Sequence, residues 1–551
     1  MKTRTVLFVL SVINIVLFAQ TPEWQWASQA GGYDREYAYG IAIDNIGNSY
    51  VTGYFEGSAT FGSSVLTSFG EKDIYVAKMD VDGNWLWAVQ AGGIYSDFGF
   101  SIVIDNAGNN FITGSFQENA TFGSYTLSTS GGYYVSDIFV AKIDTDGNWL
   151  WASQASGGAH TGSGNAIGMD SWGNCYVSGN FSGSATFGPY SINGTGVFVA
   201  EIDANGNWQS TIAQAEVSGN ISGIAVDNAG NVYITGWFGQ QEVTFGSYTI
   251  TSWSGDDIFV AKMDAGGDWI WAVQAGENFG HDQGLGITID NSGCCIVTGY
   301  FSDTANFGYF SVTSSGIDDI FVAKINPDGD WLWATSAGGT SFDQGNAITF
   351  DDAGYCYVTG GFVEIATFGN TTLTGSTGDN IFVAKIDGFG DWHWATQSVS
   401  TAGCLSNAIT MNNSENIFVA GFFWDSITFG SQTLTSIGDY DVFVAQLGMP
   451  VYADDELISA EPQLSNYPNP FNPSTTIEFS TQNESNIELT IFNIRGQKVK
   501  TLINNDCING NHSIMWDGVD ESNNPVSSGI YYYKLNVNGI TEAVKKCLLL
   551  K

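Results

Sequence analysis

The strongest constraint on what this chain can fold into is a tripeptide that occurs seven times. Thr60-Phe61-Gly62 recurs at 121–123, 186–188, 244–246, 306–308 (as Asn-Phe-Gly), 367–369 and 428–430, with the phenylalanines 58 to 65 residues apart. A second landmark, Asp73-Ile74-Tyr75-Val76-Ala77-Lys78, returns at 137–142, 257–262 and 319–324, and in looser form at 196–201, 380–385 and 441–446. A third, Trp85-Leu86-Trp87-Ala88, returns at 149–152, 269–272, 331–334 and 392–395, with a degraded copy at Trp208. A period of this length marks an array of supersecondary units, each burying its apolar face against its neighbours.

Each unit reads as short strands. Gly40-Ile41-Ala42-Ile43 leads through the turn 44–48 into Tyr50-Val51-Thr52-Gly53-Tyr54-Phe55, and Ile74–Lys78 turns at Asp82-Gly83-Asn84 into Trp85-Leu86-Trp87-Ala88. Alternation, β-branched and aromatic enrichment and Asp-Gly turns predict antiparallel hairpins. Four strands in each of seven units predict an all-β, seven-bladed β-propeller. The ends agree: Trp24-Gln25-Trp26-Ala27 is a lone fourth strand, and the array stops at the third strand Val442-Phe443-Val444-Ala445. An N-terminal strand that completes the last blade would close the ring and remove two sheet edges. The units resemble the bacterial propeller repeats called SBBP, whose core reads like Gly40-Ile41-Ala42-Ile43-Asp44-Asn45-Ile46-Gly47-Asn48-Ser49-Tyr50-Val51-Thr52-Gly53. The resemblance covers nearly all of residues 21–449; it implies fold and export, and no shared chemistry.

The flanks are of another kind. Lys2 and Arg4 precede an apolar run from Val6 to Phe18 and a small residue, Ala19, which predicts a secretory signal peptide over 1–19. Residues 20–449 form the expected propeller and 450–462 an acidic linker. From 463 to 551 the repeat vanishes and a new series of short strands predicts a small immunoglobulin-like β-sandwich. Tyr467-Pro468-Asn469-Pro470-Phe471-Asn472-Pro473, Arg495-Gly496-Gln497, Trp516-Asp517-Gly518, Ser528-Gly529-Ile530-Tyr531 and Lys545-Lys546-Cys547 carry it. In that order they resemble the type A C-terminal sorting domain of the type IX secretion system. The resemblance implies passage through the periplasm, delivery to the outer-membrane surface or release there, and the secretion machinery as a partner. Gly529, Tyr531, Lys545 and Lys546 are the residues expected to serve sorting. Cys547 stands where an apolar residue is usual, and Cys507 in the same segment is its candidate disulfide partner.

Residues 21–449 hold 44 acidic and seven basic side chains, a net of −37. Such a field repels phosphates and excludes nucleic acid as a partner. No run of 18 apolar residues follows the leader, so no transmembrane helix is expected. Four histidines and no nucleophile-base spacing leave catalysis without a motif, and no cofactor is expected. Asp80, Asp82, Asp144 and Asp146 resemble the start of a calcium loop, but tryptophan follows at once and Asp-Gly is ordinary hairpin chemistry. Cys294 and Cys295 are adjacent, yet Cys295 shares its repeat position with Ser49, Asn110, Cys175, Val232 and Cys356, which predicts a small buried side chain. The connections leading into each first strand vary most and are expected to bind. They hold Tyr33, Glu36, Tyr37, Tyr39, Tyr95, Asp97, Phe98, His160, Phe279, His281, Asp282, Phe342 and Asp343. Glu36, Asp97, Asp282 and Asp343 share one repeat position and are expected to form an acidic, aromatic-rich mouth. The expected function is a non-catalytic binding or adhesion module with a glycan or surface protein as partner. The alternatives are an envelope scaffold and a polysaccharide-acting hydrolase or lyase.

Overall fold

The computed structural model describes residues 22–448 and 464–550, except for 130–134, 157–160, 240, 253–254, 277–279, 413, 494, 496 and 538–539. The expected signal peptide and linker, and with them His160 and Phe279, lie outside the described residues. The chain divides into two compact units, 1–450 and 451–551. Among the described residues all regular structure is β, and no helix is long and apolar enough to cross a membrane.

In the larger unit, Glu36–Ile43, Ser49–Phe61, Ser64–Met79 and Trp85–Ala91 pair antiparallel in chain order. The same order returns in repeats that begin with Phe98–Ile104, Gly162–Met169, Gly219–Val226, Gln283–Ile289, Asp343–Phe350 and Gly403–Met411. The last repeat has three strands of its own, and Glu23–Gly32 supplies the fourth, pairing Ala27 with Ala445 and Ala30 with Val442. First strands neighbour one another in cyclic order, and Asn407 Nδ2 donates to Ala38 O at 2.8 Å where the last repeat meets the first.

The three recurring motifs hold this arrangement together. Each phenylalanine of the Thr-Phe-Gly turn meets the first tryptophan of its own fourth strand edge-on, as in Phe61–Trp85 (5.3 Å between centroids), Phe245–Trp269 (5.0 Å) and Phe429–Trp24 (4.9 Å). Such a pair contributes about 0.5–1.5 kcal/mol beyond the area it buries. The second tryptophan reaches forward to the next repeat: Trp26 Nε1 donates to Val81 O, Trp87 to Thr145 O, Trp271 to Pro327 O and Trp333 to Gly388 O. The tryptophans therefore pack and tie repeats to one another. The shared lysine lies over the aromatic ring of the second strand, Lys78 on Tyr50 at 4.9 Å and Lys142 on Phe111 at 4.5 Å. Two of these lysines also pair with a turn aspartate, Lys142 with Asp105 at 3.2 Å and Lys324 with Asp290 at 2.7 Å.

The turns explain the aspartates that resembled a calcium loop. Asp80 Oδ1 accepts the N–H groups of Asp82 (3.0 Å) and Asn84 (2.8 Å), while Asn84 Nδ2 donates to Asp80 Oδ2 at 3.0 Å. Asp144 does the same with Asp146 and Asn148. Partial burial works to raise the Asp80 pKa, but the Asn84 and Asp82 donors outweigh it and lower it overall. Asp80 and Asp144 spend their oxygens on the turn, and Asp82 and Asp146 contribute a backbone N–H. Cys295 is buried and free at the start of its strand.

In the smaller unit, Ser465–Tyr467, Thr475–Asn493, Gly529–Val537 and Ile540–Leu549 form one sheet in that order, with Lys498–Trp516 paired to Thr475–Asn493. Trp516 is buried at its centre, edge-on to Tyr531 at 5.1 Å, and Tyr531 Oη donates to Ser527 O at 2.7 Å. Asn469 of the Pro-Asn-Pro-Phe segment clasps the last strand, donating to Lys546 O (3.2 Å) and accepting from Leu548 N (2.9 Å). The Lys545 and Lys546 side chains are exposed, and Gly529 opens the penultimate strand at φ +152°. The Cys507–Cys547 disulfide does not form. Cys547 is a free, buried thiol. Cys507 pairs with Asn486, whereas Cys547 pairs with Tyr531, which lies opposite Asn493. Those levels are seven residues apart on one strand, on the order of 23 Å at about 3.3 Å per residue, far beyond the roughly 7 Å limit for a disulfide.

Candidate binding site on the ring axis

The acidic residues expected to line a mouth are sealed inside instead: Glu36, Asp97, Asp282 and Asp343 are all fully buried. Their work is to hold the connection that precedes each first strand. Asp97 accepts Gly93 N (2.7 Å) and Gln117 N (2.9 Å), Asp343 accepts Gly339 N (2.6 Å) and Val363 N (3.2 Å), Glu36 accepts Gly32 N (2.8 Å) and Asp282 accepts Ser302 N (3.1 Å). A second buried acid, from the third strand of a repeat, stands beside each: Asp441 by Glu36, Asp73 by Asp97, Asp257 by Asp282 and Asp319 by Asp343. Burial pushes Glu36 and Asp97 up to about 8 and Asp343 to about 7, against the N–H donors that lower them.

The aromatic candidates behave differently. Tyr37 and Phe98 are half-buried members of a band that crosses the last, first and second repeats. Tyr37 stacks on Tyr54 at 5.0 Å and touches Phe422 at 4.2 Å, and Phe98 stacks on Phe100 at 5.6 Å. Lys72 Nζ lies 4.9 Å from the Tyr54 centroid and 5.3 Å from that of Phe98. His281 and Phe342 are exposed; His281 Nδ1 is 3.3 Å from Asp256, and Phe342 is 56% exposed.

One constellation escaped the sequence reading apart from Tyr39. Every first strand carries a register shift that leaves one residue unpaired against the second strand. The seven are Tyr39, Phe100, Asn165, Ser222, Leu285, Asn346 and Asn407. A β-bulge re-aims the extra side chain, and all seven line a single cavity of about 430 Å³, joined by Asn220 and Ile221. The rings of Tyr39 and Phe100 are 5.5 Å apart. Amides flank them: Asn165 Nδ2 donates to Asn220 Oδ1 (2.7 Å) and Ile221 O (2.9 Å), and Asn346 Nδ2 to Ser406 O (3.0 Å). The signal was present in the sequence as a larger residue between small ones, such as Gly99-Phe100-Ser101 or Gly345-Asn346-Ala347. The small neighbours are required because first strands crowd one another. A Cβ on Gly286 would lie 3.0 Å from the Ala347 Cα.

The FlgD Ig-like domain family matches residues 468–539, and the beta-propeller repeat family SBBP matches residues 212–237. An uncharacterized WD repeat-containing protein, L264 of Acanthamoeba polyphaga mimivirus, is 23% identical over 589 residues, covering 88% of this chain. The chain spans 38% of that relative's length. Among solved structures, PorZ, an essential surface component of the type-IX secretion system of Porphyromonas gingivalis, is similar at 11% identity and a TM-score of 0.28, covering 93% of this chain and 81% of its own. A protein of unknown function from Bacteroides caccae is similar at 10% identity and a TM-score of 0.28, with 57% and 92% covered.

Proposed function

We propose that this chain is an exported seven-bladed β-propeller, closed by its N-terminal strand and delivered through the type IX secretion system by its C-terminal sorting domain. At the outer-membrane surface or released from it, the chain works as a non-catalytic binding module. Its ligand seat is the axial cavity on which the bulge residues converge, and that convergence carries the reading. A rigid ring presenting one adaptable residue per repeat to a common point is a recognition device, since the flanking sequence can stay fixed while the seven positions vary. Hydrolysis of polysaccharide is the weaker reading. It calls for a pair of carboxylates flanking the bond to be broken, and the lining residues include none, while the nearby acid pairs are sealed and hold backbone. The scaffold alternative has no use for a lined cavity.

The test compares cells that export the full chain with cells that export the Tyr39→Ala/Phe100→Ala double variant. Expected are digestion of the chain by protease added to intact cells, and adherence to a panel of polysaccharide- and protein-coated surfaces that the double variant loses. Protection from protease in intact cells would sink surface delivery, and equal adherence by both chains would sink the axial seat.

A further inference from the structure

Resting on that reading, we infer that the axial cavity takes an uncharged saccharide, entering end-on along the ring axis. The first observation is what the lining lacks. The full chain has 56 acidic and 16 basic residues, yet the residues that line this cavity carry no Asp, Glu, Lys, Arg or His. A phosphate, carboxylate or ammonium entering there would lose hydration with no opposite charge to replace it. The lining thus selects for neutral ligands.

The second observation fixes which polar groups the ligand must bring. Asn346 Nδ2 and Asn407 Nδ2 donate to the backbone carbonyls of Ser406 and Ala38, and Asn165 Nδ2 donates to that of Ile221. A carbonyl only accepts, so each amide is held with its NH₂ on the neighbouring repeat and its Oδ1 on the opposite side of the same group. These amides offer acceptors, and a ligand that satisfies several acceptors in one small volume is rich in hydroxyl donors. The third observation is the pair of half-buried rings, Tyr39 and Phe100, 5.5 Å apart on neighbouring first strands. Aromatic rings flanked on both sides by amide acceptors suit a ring with C–H faces and hydroxyl edges, which is the chemistry of a sugar. A volume of about 430 Å³ falls in the range of about 300–1,000 Å³ that holds small ligands. Because seven first strands surround the cavity, access is along the axis, which favours a chain end over an internal residue of a polymer.

The experiment is a printed array of neutral, sialylated, sulfated and amino glycans probed with the purified full-length chain. It is repeated with Tyr39→Ala, Phe100→Ala and a control, Trp172→Ala. Trp172 is 69% exposed on a first-to-second-strand turn and does not line the axial cavity. Melting temperatures are recorded for each, so that loss of fold is separated from loss of site. The expected result is binding confined to neutral glycans with a free non-reducing or reducing end. It should weaken at least about tenfold, or about 1.4 kcal/mol, in either axial variant and stay unchanged in Trp172→Ala. Binding of charged glycans, or binding indifferent to Tyr39 and Phe100, overturns the ligand class. An array silent for every class also overturns it. If the axial double variant nevertheless loses adherence to protein-coated surfaces, the ligand class alone has failed and the binding seat stands. If adherence is unaffected as well, both have failed.

Discussion

Asp73 and Asp97 meet across Gly92: a Cβ at Gly92 would lie 2.6 Å from Asp73 Oδ1 and 2.9 Å from Asp97 Oδ2. Both carboxyls are fully buried, and Asp73 Oδ1 makes no hydrogen bond. The same relationship returns as Asp319 and Asp343 across Gly338, and as Asp257 and Asp282 across Gly276. Two buried carboxylates that close cannot both ionise without penalty, so each pair favours holding a proton at neutral pH.

The first prediction is a stability that falls as pH rises. Burial lifts Asp97 and Glu36 to about 8, Asp257 and Asp343 to about 7, and Asp73 and Asp441 to about 6. A carboxyl whose folded pKa is raised binds its proton more tightly folded than unfolded. Its stabilisation is complete below the ordinary carboxylate range and is lost as pH climbs through about 6 to 8. The other charged groups that bear on these acids are mostly acidic, Asp34 and Glu56 on Glu36 and Asp318 on Asp343, and they push the same way. The Tm is expected to drop by about 3 °C or more between pH 5 and pH 8.5, and Asp97→Asn should flatten part of that slope. A Tm that rises over this interval would overturn the shared-proton account.

The glycine between the acids gives a second prediction. Gly338 has φ +154°, and a Cβ there would lie 2.6 Å from Asp319 and 3.0 Å from Asp343. Gly173 also has positive φ, +88°, but a Cβ there meets nothing within 4 Å. Gly173→Ala is expected to cost about 1 kcal/mol from backbone conformation alone, and Gly338→Ala clearly more, because the carboxyl pair must also part. Denaturant unfolding of both variants checks the order; equal losses would show that the acids yield freely.

These pairs show why the sequence was legible only in part. The seven Phe-Gly turns, the paired tryptophans and the lone strand Glu23–Gly32 are local patterns whose spacing dictates strands and their order. Burial is not local. Glu36, Asp97, Asp282 and Asp343 looked like loop-tip acids because they share a position in variable connections, yet that position faces inward onto backbone N–H groups. The axial residues were hidden for the opposite reason: a bulge alters which way Asn346 or Phe100 points, and alternation alone says nothing of it. Cys507 and Cys547 are likewise neighbours in composition only, separated by strand register.

Closure supplies a third prediction. Glu23–Gly32 covers the edge of Gln432–Gly448, and Trp24 Nε1 donates to Gln397 O at 3.0 Å. A chain beginning at Tyr33 leaves that edge unpaired, a template for association. It is expected to elute from size exclusion as oligomers and to melt lower than a chain beginning at Gln20. A monomer of undiminished Tm would count against ring closure by this strand.

The central claim, that binding lives in the bulge residues and not in the acids of the connections, is tested most directly by measuring adherence and Tm together for two variants. In Tyr39→Ala/Phe100→Ala, the account predicts lost adherence with a Tm within about 2 °C of the parent. In Asp97→Asn it predicts retained adherence with an altered, less pH-dependent Tm. Adherence lost in Asp97→Asn with its fold intact, and kept in the aromatic double variant, would return the site to the acidic connections and contradict the account.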